Sequence, residues 1–451
     1  MPLTPGIVYW AEHAWLGVHT EPGVVLEVVD GRISAVRTGA DTPPPGAEVL
    51  RGLTIPGLAN THSHAFHRAL RGTVQVGGGS FWTWREMMYN AVHRLTPDNY
   101  FALARAVYAE MALAGVTSVG EFHYLHHGPG GTPYTDPNAM GEALIAAAAE
   151  AGIRITLLDT VYLHGGLDHN GHQPLKGPQL RFGDGSLDAW HQRWSLLQAN
   201  DRVRIGAAIH SVRAFSDRDG YEDFAARTDG VPVHIHLSEQ PAENEACLAV
   251  HGRTPTRLLA DAGFWKPTVT AVHATHLTDD DITTLGGAGS GICMCPTTER
   301  DLADGIGPAL ALQRAGSPLS LGSDSHAVID LLEEARAMEL DERLRTRTRG
   351  HWTTPALLRA ATADGHTALG WPDAGTLEAG ALADFTTIAL DSVRTIGPPR
   401  RMAAEAVVFA GTAADVRHVV VGGRTIVRDG EHLLVPDVAL ALGDAIGALR
   451  A

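Results

Sequence analysis

A chain of 451 residues, 44% of them hydrophobic, can bury more than one ordinary domain, and a barrel of ~250 residues plus a smaller partner would use that capacity. The formal charge of −16 argues against a nucleic-acid partner, since phosphate affinity rests on Lys and Arg; a local arginine cluster could still hold a small anion. Cys247, Cys293 and Cys295 are too few for a disulfide framework, and no apolar run is long enough to cross a bilayer. The start Met1-Pro-Leu-Thr-Pro lacks a basic and then apolar leader pattern. The expectation is a soluble cytoplasmic enzyme with no membrane partner.

Residues 1–55 read as short strands. Val24–Val29 and Arg32–Val36 flank Asp30-Gly31, a hairpin signal with turn chemistry at its centre. Between residues 56 and 375 helical stretches such as Asn99–Ala114 alternate with short apolar runs. Those runs are the approach to His62, then Val116–Phe122, Ile153–Tyr162, Val203–His210, Val231–Leu237, Val269–His273, Ser290–Cys295 and Pro318–Gly322. That is the alternation of a TIM-type (β/α)8 barrel. From 376 to 451 β character returns, with Ala383–Leu390, Ala404–Phe409, Val416–Val421 and Arg424–Val427 as strands and Gly422-Gly423 as a turn. The two ends are expected to form one small β-sandwich domain (1–55 with 376–451) around a catalytic barrel (56–375). No internal repeat is evident.

In such a barrel the chemistry sits where the strands end. The first ends in His62-Ser63-His64, whose alternation lets both imidazoles grip one cation. The fifth ends in His234-Ile235-His236, followed by Glu239. The sixth ends in His273, with His276 beyond it, and the eighth in Asp324, with His326 beyond it. A lone His-x-His is weak evidence, but four such endings in order on four strands are hard to obtain by chance. Simpler readings stand beside each residue. His62 and His64 could be polar filler, Glu239 and Asp324 helix caps or first-turn acids, His276 and His326 structural. His234 could merely share a face with His236, and Cys293 and Cys295 read best as buried thiols.

Thr61-His62-Ser63-His64, the His236/Glu239 pair, His273 and Ser323-Asp324 resemble the amidohydrolase superfamily, in particular its branch with one metal ion. The binuclear branches need a modified lysine late in the fourth strand. Here Lys176 lies in a Pro/Gly-rich loop and Lys266 just before the sixth strand, and His210 ends the fourth. The resemblance implies one zinc held by His62, His64, His236 and Asp324 with a position left open for water. Iron or manganese also suits such donors. It further implies that His273 and Asp324 take the water's proton and that Glu239 shuttles it to the departing nitrogen.

Ala65-Phe66-His67-Arg68, Ser80–Glu86, Glu121–His127 and His210-Ser211-Val212-Arg213 are similar to the formimidoylglutamate deiminases of histidine degradation, along the full chain. That resemblance implies a dicarboxylate amidine substrate, hydrolysed to the formyl compound and ammonia. Arg85 and Arg213, on loops at the barrel mouth, would fork onto carboxylates, and Tyr124 and His210 would add hydrogen bonds. His67 stands where the family has a glutamine, and an imidazole would serve a carboxylate better when protonated. Trp82 and Trp84 are read as packing residues. Barrels of this kind imply a homodimer. A deaminase of a cyclic amidine, or a non-catalytic binding module, are the alternative functions.

Overall fold

The computed structural model describes residues 6–75, 81–216 and 220–450; the Met1–Pro5 start lies outside them. Eight parallel strands form the barrel: β5 (Leu58–Ser63), β6 (Val116–His123), β7 (Arg154–Val161), β10 (Val203–Ile209), β11 (Val233–Leu237), β12 (Val269–His273), β13 (Gly291–Met294) and β14 (Leu319–Leu321). A two-stranded ribbon, β8 (Gly166–Asp168) with β9 (Gly171–Gln173), sits between the third and fourth of them. β6 and β7 are buried at every position, polar residues such as Ser118, Glu121 and Asp159 included, because helices cover the outside of the parallel sheet and inward side chains fill the barrel. The longest covering helix, Pro97–Leu113, starts at a Thr96 cap that accepts the Asn99 amide while the Asn99 side chain answers the Thr96 backbone.

The ring closes between β14 and β5. Ser63 and Asp324 form a parallel bridge, and the Asp324 amide donates to the His62 carbonyl at 3.0 Å. Gly322 must be small there, because a Cβ would stand 2.7 Å from that of His62. The floor is sealed by residues 363–371, which touch strands on opposite sides of the ring. His366 meets Thr117, Trp371 Nε1 donates to Thr156, and His234 bonds the Ala368 carbonyl at 3.1 Å. His234 therefore shares the inward face with His236 but serves the floor.

The second sheet runs β18-β17-β16-β15-β4-β1-β2-β3, with β1 (Ile7–Trp15), β2 (Thr20–Val29), β3 (Arg32–Arg37) and β4 (Glu48–Pro56) from one end of the chain. From the other come β15 (Phe385–Ile388), β16 (Val416–Val421), β17 (Arg424–Arg428) and β18 (Glu431–His432). Asp30 and Gly31 both take positive φ, as do Gly422 and Gly423, the geometry of tight hairpin turns. These two turns meet, since a Cβ on Gly31 would stand only 3.3 Å from the Gly422 carbonyl. The Tyr9 hydroxyl on β1 donates to the Gly423 carbonyl, so the curled sheet encloses Tyr9, Leu26, Ile33, Phe385 and Val420 as its own core. Arg154 at the start of β7 binds Asp384 through two nitrogens (2.6 and 3.1 Å) and ties sheet to barrel.

One expected strand is a helix. Ala404–Phe409 lies within the helix Ala403–Ala410, which buries Ala403, Ala404, Val407 and Val408. That i, i+3, i+4 spacing and the Ala-Ala-Glu-Ala start outweigh the β preference of Val-Val-Phe. Among the described residues no helix is long and apolar enough to cross a membrane.

Candidate metal centre and substrate cavity

The strand endings converge. His62 Nε2 lies 3.1 Å from His236 Nε2 and 3.3 Å from Asp324 Oδ1, and His64 Nε2 lies 3.4 Å from the same oxygen. Donors arranged tetrahedrally around zinc at ordinary bond lengths would be separated by about 3.3 Å. The ring orientations suit a cation as well. His64 Nδ1 donates to the Phe122 carbonyl and His236 Nδ1 to that of His210, which leaves each Nε2 as a bare lone pair when the ring is neutral. Burial holds His62, His64 and His236 below the ordinary histidine pKa, with neighbouring imidazoles adding to the effect at His62 and His236. At Asp324 burial raises the pKa, but His273 and His64 outweigh it and keep the carboxylate ionised. Neutral imidazoles packed around one carboxylate are the donor set that a divalent ion takes up.

His273 reaches the same cluster, its donor atoms grouped with those of His62, His236 and Asp324, with Nε2 3.7 Å from Asp324 and 3.8 Å from Glu239 while Nδ1 faces Glu299 at 3.3 Å. Burial opposes its charge, yet the three carboxylates push its pKa up to about 10. Its φ of +67° and that of Ala274, +51°, mark a strained strand end. Glu239 is not a helix cap. Gln240 holds that position for the helix Pro241–His251, and Glu239 instead faces His273 and, at 3.5 Å, Arg213. Burial raises its pKa, against the pull of His273 and Arg213. Asp324 is likewise no cap, and His276 stays outside the donor cluster. Cys293 and Cys295 are buried beside Val272 with their sulfurs 4.0 Å apart.

A cavity opens above this cluster. His67, Arg85, Tyr124, His210 and Arg213 all line it. Arg213 follows β10 and is anchored through Nε to Glu243 at 2.8 Å; burial works against its charge, but Glu243 and Glu239 raise its pKa. Arg85 sits on the helix Phe81–Arg94 and not on a loop, its Nε donating to the Tyr89 hydroxyl and Nη2 to the Gly165 carbonyl. His67 Nε2 pairs with the Tyr124 hydroxyl at 3.1 Å. Burial and the neighbouring His64 lower its pKa well below the usual value, so it meets a ligand as a neutral imidazole and not as the cation that would suit a carboxylate best. His210 is kept neutral by burial and by Arg213.

Trp84, expected to pack, also faces the cavity, its ring 4.9 Å from His67. Ser80 and the Trp82 side chain lie outside the described residues. Sequence reading missed Tyr89, Tyr162 and Phe182 among the lining residues, and Glu243 and Glu299 behind them. A second buried group, His123, His126 and Asp159, has its carboxylate taken up by Arg193 through two 2.8 Å bonds and by Trp190. A guanidinium already neutralises it, which disfavours a metal there.

The profile of the Amidohydrolase family matches residues 53–426. A formimidoylglutamate deiminase of Pseudomonas aeruginosa is 37% identical over 98% of this chain and 99% of its own. An 8-oxoguanine deaminase of the same organism is 31% identical over 92% of this chain and 91% of its own. Among solved structures, an amidohydrolase from Brucella melitensis superposes with a TM-score of 0.89 at 32% identity, covering 99% of this chain and 100% of that one. The chain belongs to the amidohydrolase family and is a metal-dependent hydrolase acting on carbon–nitrogen bonds.

Proposed function

We propose that the protein hydrolyses the terminal amidine of N-formimidoyl-L-glutamate to N-formyl-L-glutamate and ammonia, a step of histidine degradation. The observation that carries this reading is the pair of arginines, Arg85 and Arg213, facing the same cavity as the His/Asp cluster. Two planar forks suit a substrate with two carboxylates. The likeness to the Pseudomonas aeruginosa formimidoylglutamate deiminase supports it.

His62, His64, His236 and Asp324 would hold one zinc ion. When bound, the ion would polarise a water molecule and bring its pKa toward neutrality. Asp324 and His273 lie together; Asp324 would take the proton that water gives up on adding to the formimidoyl carbon, while His273, held protonated by its carboxylate neighbours, would orient that water. Glu239, between His273 and Arg213, would carry a proton to the terminal nitrogen. The proton left on the added hydroxyl then passes to that nitrogen as well, the bond from carbon to nitrogen breaks, nitrogen leaves as ammonia, and the water oxygen remains as the formyl carbonyl. Tyr124 and His67 would hydrogen-bond the substrate as neutral groups. Two chains would associate as a homodimer, which light scattering would read as twice 47.9 kDa.

The test is ammonia release from N-formimidoyl-L-glutamate by zinc-loaded protein; turnover no higher than that of a Glu239→Ala control would refute the assignment. The second relative favours a rival, deamination of a cyclic amidine. Running 8-oxoguanine in the same assay separates the two, because a ring substrate has no use for Arg213 and an Arg213→Ala variant would still turn it over.

A further inference from the structure

His62 on β5 and His64 just past it straddle Ser63 where regular strand pairing breaks off. The β5–β6 register shifts between Asn60 and Ser63, and His64 already lies beyond the strand. The other side of the seam is irregular too, Asp324 at φ +38° and His326 at φ +58°. Non-glycine residues in that region cost about 1–3 kcal/mol each and persist only where their surroundings over-determine them. Backbone ladders alone therefore do not fix the ends that carry His62, His64 and Asp324.

Side chains behind those ends do. Glu121, fully buried on β6, accepts the Ala65 amide at 2.7 Å and the Ser63 hydroxyl at 2.8 Å, so it grips the chain on both sides of His64. The same Ser63 oxygen meets His326 Nε2 at 3.0 Å, and Arg71 donates to the His326 carbonyl at 2.6 Å. A hydroxyl has one proton and two lone pairs. It can donate to Glu121 while accepting from His326, which is how one serine joins β5, β6 and the turn after β14. Below it, Asn60 and Ser323 exchange two bonds across the seam, 2.8 and 2.9 Å.

We propose that Glu121, Ser63 and His326 form a positioning relay that holds the proposed ligands His62, His64 and Asp324 at metal-binding spacing. The inference rests on the metal set of the preceding section. Partners of this kind are worth about 10–100-fold in metal affinity.

The experiment is zinc affinity by competition with a chromophoric chelator, run beside thermal unfolding of the metal-free protein, on the parent, Ser63→Ala, Glu121→Gln and the double variant. Ser63→Ala is expected to weaken zinc binding about 10–100-fold while the metal-free melting temperature stays within ~2 °C of the parent. The double variant should lose less than the product of the single losses, because both substitutions cut one relay. Unchanged zinc affinity in Ser63→Ala, or single losses that multiply, overturns the relay. So does a loss of affinity matched by a loss of metal-free stability. A parent that holds no zinc refutes the metal set itself, which keeps the two failures apart. Should Ser63→Ala not fold, Glu121→Gln carries the same comparison.

Discussion

Replacing Arg213 by methionine removes one cation from between two buried carboxylates. Glu243 stands 2.8 Å and Glu239 3.5 Å from the guanidinium, and the arginine side chain is only 11% exposed. Breaking a buried pair on one side costs about 3–5 kcal/mol, because the remaining charge is left uncompensated. A chain of this length unfolds with an entropy of about 0.9 kcal/mol per degree, so the melting temperature should fall by about 3–5 °C. The loss carries a pH signature. Burial already raises both carboxyl pKa values in the folded state and Arg213 holds them down; without it they rise further. A folded-state pKa above the unfolded one means that the folded form binds its proton more tightly, so stability falls as pH climbs through that interval. The deficit against the parent should be small near pH 5 and largest near pH 8, read by differential scanning fluorimetry at both. A deficit that is flat with pH, or absent, would refute the electrostatic account.

Other substitutions separate binding from chemistry. His236→Ala removes a donor set 3.1 Å from His62 and should cut zinc retention by more than ~100-fold, beyond what loss of an outer partner costs, as measured by elemental analysis after dialysis. Glu239→Gln should keep its zinc but lose about 10²–10⁴ in kcat. Phe122 packs at 5.1, 5.4 and 4.5 Å from the rings of His62, His64 and His236. Phe122→Ala should therefore cost about 3–5 kcal/mol of stability and weaken zinc binding in the same protein, whereas Phe122→Leu should do much less of both.

Most of the barrel was legible because each strand carries its own signal. Val269–His273 was read with both its ends, and the other barrel strands lie within two residues of the runs that announced them. The convergence of His62, His64, His236 and Asp324 was legible for the same reason, since each sits at or just past the end of such a run and the fold gathers run ends at one mouth. What escaped were residues whose part depends on a contact across the chain. Glu243 reads as a first-turn helix acid, and only the folded protein sets it against Arg213. Glu121 reads as a lone acid in an apolar strand until Ser63 and the Ala65 amide come within reach. The helix at Ala403–Ala410 was misread for the opposite reason: its local signal is mixed, and packing of one face decided it. The charge of His67 was equally out of reach, because it follows from burial beside His64.

In the second sheet β4 lies between β1 and β15, strands made more than three hundred residues apart. During synthesis β4 must wait, with Leu53 and Ile55 on a bare edge, until the whole barrel and then Phe385–Ile388 have left the ribosome. An unpaired apolar edge is a template for pairing with another chain. A protein cut short before β15 would thus be expected to aggregate even with every barrel strand present, and the last stretch of chain acts as the clasp that retires that edge.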